Sequence, residues 1–200
     1  MIPPAPPLRP ARPFDAPTLA VLGNEAGCGI PWRIWRALAG AEGDPWAVGA
    51  ARAWAEAEET GGVLVLDEGD GALAAMVMRP ASTTPPSEDL PRLIRELVAL
   101  ETRAPGTIYI KTLAALPGER ERGHGRRLIA AAEAEAAARG LSGVSLIVND
   151  ANRDAQRLYL RLGFVEAGRA PQVAGLGWTP WGRDWILMTR PLGGGDALGQ

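Results

Sequence analysis

LAALPGERERGHGRRL, residues Leu113 to Leu128, carries the chain from the end of an apolar run into an alanine-rich one. The apolar run, Thr107 to Leu116, reads as a buried strand that stops at Pro117. Charged loop residues follow. Gly123-His124-Gly125 then opens a helix predicted from Gly125 to Arg139, with Gly140 as its stop. Strand, glycine loop and helix start in direct succession leave several backbone N–H groups unpaired and pointing outward. The helix dipole adds partial positive charge at the same end. Such a joint suits an anion of the pyrophosphate kind.

Two familiar phosphate loops fail on this stretch. A P-loop needs Lys-Ser or Lys-Thr after its last glycine, and Gly125 is followed by Arg126-Arg127. The dinucleotide fingerprint needs a third glycine where Leu128 stands. The pattern that fits is Arg120-x-x-Gly123-x-Gly125. It resembles the acetyl-CoA loop, Gln/Arg-x-x-Gly-x-Gly/Ala, of the GCN5-related N-acetyltransferase (GNAT) family. A second stretch, Asn152-Arg153-Asp154-Ala155-Gln156-Arg157-Leu158-Tyr159-Leu160-Arg161-Leu162-Gly163-Phe164, is similar to that family's Asn-x-x-Ala-x-x-Leu-Tyr-x-x-x-Gly-Phe signature at every marked position. One helix and one strand separate the two motifs, as the family requires.

The resemblance spans about Leu8 to Pro191 and implies an α+β fold. Its expected form is a central mixed, mostly antiparallel sheet of about six to seven strands, flanked by helices, with a splayed central strand. Residues 1–7 are proline-dominated and read as a flexible arm, 8–191 as the acetyltransferase domain, and 192–200 as a loose tail. Local patterns agree with this layout. An edge strand is predicted over Leu8 to Arg12, and Asp15 is expected to cap a helix ending near Ala26. Helices follow over Pro31 to Ala39 and, capped by Asp44, from Pro45 to Glu59. Val63 to Asp67 and Ala72 to Met78 form a hairpin across Glu68-Gly69-Asp70-Gly71. A helix over Leu90 to Thr102, strands over Ser142 to Val148, Phe164 to Ala170 and Trp185 to Thr189, and a helix over Asn152 to Leu162 complete the pattern.

The totals exclude several classes. A formal net charge of -2 gives no reason to expect nucleic acid or an anionic membrane as partner. The segment MIPPAPPLRP has no apolar core of a secretory signal, and no apolar run approaches the ~18 residues of a membrane span. One cysteine, Cys28, fits a reducing cytoplasm, and with one histidine a zinc site is not expected. A homodimer is within expectation, since dimers are frequent in the family.

What the resemblance implies chemically is acetyl transfer from the thioester of acetyl-CoA, a cosubstrate, to an amine that attacks directly. Main-chain N–H groups of Leu113 and Ala115 would serve the thioester and pantetheine, Leu113 also stabilising the oxyanion. Preorganised donors of this type contribute about 3–4 kcal/mol each. The loop Arg120, Glu121, Arg122, Gly123, His124, Gly125 and Arg126 would cradle the pyrophosphate, His124 through its backbone. Arg120, Arg122, Arg126 and Arg127 are also candidates for the 3′-phosphate. Asn152 and Ala155 would meet the pantetheine arm. Tyr159 would be the general acid for the leaving thiolate, a transfer uphill by ~2 kcal/mol from a phenol of ordinary pKa.

Deprotonating an alkyl amine of pKa about 10.4 at pH 7 costs about 4–5 kcal/mol, so a base is expected. Many family members carry Glu where this chain has Tyr109, with Lys111 following on the same face, and neither is an obvious base. Glu25, Glu42 and Asp44 are acidic candidates in the region that varies with acceptor. Seven tryptophans are available. Trp32 among the N-terminal helices and Trp178 in the Pro171 to Arg183 loop are candidates for the acceptor side, against ordinary core packing. A non-catalytic module that binds acyl-CoA, and an enzyme for longer acyl groups, are the competing readings.

Overall fold

The computed structural model describes residues 7–69 and 71–193. Asp70 of the expected turn, and residues 1–6 and 194–200 of the expected arm and tail, lie outside the described residues. The elements follow in the predicted order: β1 (Leu8–Pro10), α1 (Ala16–Ala26), α2 (Ile30–Ala39), α3 (Pro45–Thr60), β2 (Val63–Asp67), β3 (Ala72–Pro80), α4 (Arg92–Glu101), β4 (Thr107–Ala115), α5 (His124–Ala138), β5 (Gly143–Asn149), α6 (Arg153–Arg161), β6 (Val165–Pro171) and β7 (Asp184–Pro191). The strands form one sheet in the order β1-β2-β3-β4-β5-β7-β6. The pairs β1/β2, β2/β3, β5/β7 and β6/β7 are antiparallel, and β4/β5 is parallel. The sheet is therefore mixed and mostly antiparallel, as the family resemblance implies. The β4/β5 ladder pairs Thr107 with Gly143 through Ile110 with Leu146, while β4 runs on to Ala115 and β5 to Asn149.

Two compact units divide the chain. The first comprises the described residues up to Met78 together with Thr112–Ile129. Its core gathers Leu19, Leu22, Val63, Val65, Ala72 and Ala75, with Ala53, Ala57, Ala114 and Leu116 packed against it. α1 supplies Leu19 and Leu22 because they fall on one helical face. α3 approaches α2 through Gly49, where a Cβ would come within 2.5 Å of the Trp35 ring. Trp35 in turn meets Trp46 edge-on at 5.8 Å.

Asp44 caps α3 as expected, accepting from the Trp46 N–H at 2.9 Å. Asp15 does not cap α1. Its buried carboxylate instead accepts from Arg9 at 2.7 and 3.0 Å and from the Arg12 N–H at 2.8 Å. Arg9 also donates to Asp67 at 2.6 and 2.8 Å, so one guanidinium ties three-residue β1 to α1 and β2. A charged partner outbids a local cap here because the paired carboxylate is withdrawn from water.

The second unit comprises Arg79–Lys111 and the described residues from Ala130 onward. β5 is buried at every residue but Ile147, which explains its continuous apolar sequence. The hydroxyls of Thr107 and Ser145, adjacent across the β4/β5 ladder, pair at 2.7 Å and leave no buried oxygen unsatisfied there. Gly163 (φ 80°) ends α6 and turns Phe164 into the core. The loop between β6 and β7 is pinned by polar side chains: buried Gln172 donates to the Asp184 carbonyl at 3.0 Å, and half-buried Asp150 accepts from the Arg183 N–H at 2.9 Å.

Candidate active site

The loop before α5 has the geometry the sequence suggests. The Glu119 N–H reaches the Leu116 carbonyl at 2.8 Å, and the Arg127 N–H reaches Gly123 at 3.2 Å. Between them, among the described residues, the N–H groups of Arg120, Glu121, Arg122, Gly123, His124 and Gly125 donate to no main-chain carbonyl. Glu121 (φ 65°) and Gly123 (φ 80°) are left-handed. Alternating backbone hands turn successive N–H groups toward one point, the arrangement of an anion nest. Holding a glutamate in that region costs roughly 1–2 kcal/mol, a strain typical of functional loops. A Cβ on Gly123 would meet nothing within 4 Å, so the space before the loop is open and glycine is needed there for its φ.

The side chains of the loop are already engaged. Arg120 Nη2 lies 2.7 Å from Glu25, and Arg122 Nη1 lies 3.2 Å from Glu119. The imidazole of His124 is buried with Nε2 3.2 Å from the same Glu119 carboxylate. His124 Nδ1 and Arg127 Nη1 are buried without a partner. The backbone therefore offers the run of free donors, Arg127 Nη1 adds a side-chain one, and the unpaired nitrogens close to α5's start are groups a phosphate oxygen or its water would satisfy. A pyrophosphate fits this site. Glu119 was not foreseen, because no spacing rule links a residue before a loop to one after it.

Leu113 and Ala115 sit half-buried on the last part of β4, in the same unit as the loop and Trp32. Tyr109, Lys111, Asn152, Ala155, Tyr159 and Trp178 belong to the second unit. Tyr109 is buried, with the Arg79 guanidinium 5.3 Å from its ring centroid. Burial, then the Glu101 carboxylate, hold its phenol well above the ordinary range, partly offset by Arg79. Glu101 accepts from both Arg79 Nη atoms at 2.6 and 2.8 Å and from the Ser82 N–H at 2.7 Å. Lys111 is exposed.

Asn152 caps α6, its side chain accepting from the Ala155 N–H at 3.2 Å. Gln156 closes the same turn by donating to the Asp150 carbonyl at 2.7 Å, a contribution the sequence pattern does not mark. Tyr159 is buried on the inner face of α6, its ring centroid 5.7 Å from that of Phe164. Burial pushes its hydroxyl up to about 12. Proton transfer to a thiolate of pKa about 8.5 is then uphill by roughly 5 kcal/mol, not the ~2 kcal/mol of a free phenol.

The tryptophans separate by environment. Trp178 is buried and stacks on Trp185 at 5.9 Å, whereas Trp181 is exposed. Trp32 is half-buried under Arg33, whose guanidinium lies 5.2 Å from the ring centroid. Among the described residues no three of His, Cys, Asp and Glu gather as a metal ion would require, and no helix is long and apolar enough to cross a membrane.

A mixed seven-strand sheet flanked by helices carries an anion-ready loop between its central strand and a helix, the layout the sequence resemblance implies. The chain belongs to the acetyltransferase (GNAT) family, whose model matches residues 31–164. Acetyl-CoA is accordingly its cosubstrate and acetyl transfer its general reaction. Solved structures share the fold at low identity. The ribosomal-protein-alanine N-acetyltransferase of Brucella melitensis is 22% identical, with 93% of this chain and 99% of that chain covered and a TM-score of 0.60. Ard1 from Thermoplasma volcanium is 16% identical, with 94% and 98% covered and a TM-score of 0.61. yncA from Salmonella typhimurium, solved with its cofactor acetyl-CoA, is 21% identical, with 94% and 95% covered and a TM-score of 0.60. No curated protein matches the chain by sequence.

Proposed function

We propose that this protein is an N-acetyltransferase that passes acetyl directly from CoA to the amine of a small-molecule or protein acceptor. The observation that carries the reading is the run of unpaired N–H groups from Arg120 to Gly125, with left-handed Glu121 and Gly123. These groups, with Arg126, hold the pyrophosphate. The N–H groups of Leu113 and Ala115 bind the thioester arm and stabilise developing negative charge on its oxygen. Asn152 and Ala155 receive the pantetheine. Tyr159 donates its hydroxyl hydrogen toward the leaving sulfur. We assign Trp32, Tyr109, Lys111 and Trp178 to the acceptor; Trp178 stacks on Trp185 in the β6–β7 loop region. The single cysteine fits work in the cytoplasm. We assign a homodimer on the family's habit.

Membership of an acetyltransferase family argues against a silent acyl-CoA-binding module. Calorimetry with acetyl-CoA, followed by release of CoA thiol on adding an amine panel, tests the reading. Binding and amine-dependent thiol release are expected. The Gly123→Val variant should remain folded and bind at least about tenfold more weakly, since a β-branched residue opposes the left-handed φ. Wild-type protein that is folded yet gives no heat with acetyl-CoA would sink the proposal.

A further inference from the structure

His124 opens α5 from within the anion loop, yet its imidazole is buried, the side chain only 5% exposed. Nε2 lies 3.2 Å from Glu119 Oε2, and the same oxygen lies 3.2 Å from Arg122 Nη1. An ionised carboxylate only accepts, so Nε2 carries the hydrogen of that bond. In the neutral ring Nδ1 is then a bare lone pair, and it has no partner. By covalent structure Nδ1 is the ring nitrogen nearer its own main chain, whose N–H donates to no main-chain carbonyl. A lone pair beside these donors opposes an anion. A proton on Nδ1 turns that opposition into attraction.

The surroundings are already positive. Arg120, Arg122, Arg126 and Arg127 stand against Glu119, Glu121 and, on Arg120, Glu25 of α1. The start of α5 adds partial positive charge. A further cation on the imidazole is therefore opposed until a negative ligand arrives, and a diphosphate diester brings two negative charges to the N–H groups of the loop. Resting on the acetyltransferase reading above, we infer that the His124 side chain is part of the cosubstrate site: Nδ1 takes up one proton as acetyl-CoA binds, and the imidazolium holds Glu119 with one nitrogen while the other offsets the diphosphate. The proton comes from solvent, and the N–H bond is the one bond formed. Buried as it is, the ring acts through its charge, so His124 is a positioning residue for the diphosphate and not a catalytic one. Binding and proton uptake are linked, so acetyl-CoA binds more tightly as pH falls through the neutral range and more weakly as it rises.

The chain's single histidine makes the test direct. In the full chain, without an added histidine tag, carbon-13 in the imidazole reads the charge of His124 by NMR across the neutral pH range, free and saturated with acetyl-CoA. Saturation should raise the midpoint of protonation by at least about one pH unit, equivalent to about tenfold in affinity across the transition. Calorimetry supplies the second readout. His124→Gln keeps a donor for Glu119 and cannot titrate, and the ligand's own 3′-phosphate contributes equally in both proteins. The ratio of the wild-type Kd to the variant Kd should therefore rise about tenfold from pH 6 to pH 8. A midpoint that stays in place or falls on saturation overturns the inference, whether or not the variant folds. So does a ratio that holds constant between the two pH values. Either result, with acetyl-CoA bound, leaves the transferase reading standing. Absence of acetyl-CoA binding at every pH is the separate result that removes that reading and this inference together.

Discussion

Replacing Tyr159 with phenylalanine deletes one hydroxyl from a buried ring and leaves the contact with Phe164 in place. The hydroxyl is pushed up to about 12 by burial, so it stays protonated throughout the working range. Complete transfer to a thiolate of pKa about 8.5 spans about 3.5 units, near 5 kcal/mol. That is too steep for an early proton transfer. The phenol instead works as a hydrogen-bond donor whose strength grows with charge on the sulfur. A bond to a charged group is worth about 1.5–3 kcal/mol, so Tyr159→Phe should lower kcat by roughly 10- to 150-fold. KM for acetyl-CoA should hold, because the interaction develops only in the transition state. Thiol release under saturating acetyl-CoA measures the loss. An acetyl thioester of a more acidic thiol should recover most of it, since that sulfur needs less help. Activity within threefold of wild type in a folded Tyr159→Phe protein would refute the reasoning, as would an equal loss for every leaving group.

Alkali should unfold the protein through its two tyrosines. Because the unfolded phenol ionises near 10 and folded Tyr159 near 12, the folded state binds more protons in that window and stability falls as pH rises, by roughly 2 kcal/mol from Tyr159 alone between pH 9 and 11.5, readable by denaturant titration at those two values. Arg9→Met should cost about 3–5 kcal/mol in urea unfolding, because it strands the fully buried Asp15 carboxylate. It should also reduce acid sensitivity: Asp67 is held below the ordinary carboxylate range by the Gly69 N–H and then by Arg9, a contribution present above about pH 4 and lost as pH falls. Gly182→Ala should cost about 1–3 kcal/mol of thermal stability, because its Cβ would overlap Asp150 and Asn149 oxygens, and a normal melting temperature would contradict the packing described.

Much of the architecture is legible in the sequence because its signals are local. Gly140 ends its helix where predicted, and Gly61 and Gly163 end theirs, each with a left-handed φ. Asp44 and Asn152 cap theirs. The anion loop announces itself through glycine spacing. What the sequence withholds is any interaction between distant residues. Asp15 looks like a cap until β1 brings Arg9 beside it. Arg120 and Arg122 read as phosphate candidates, and only the fold shows Glu25 and Glu119 beside them. Tyr109 gives no sign that Arg79 will cover its ring, because Arg79 is placed by β3 and not by anything near residue 109. Tyr159's altered acidity is likewise a product of packing, and only burial in three dimensions determines it.

The Arg9 clasp has a practical side. Anyone trimming the proline-rich leader must stop short of it: a truncated protein beginning at Pro10 would keep every helix and every catalytic candidate, yet lose the cation that neutralises two acids. Such a protein would emerge from expression soluble only in part, and its poor yield would be mistaken for an inactive enzyme.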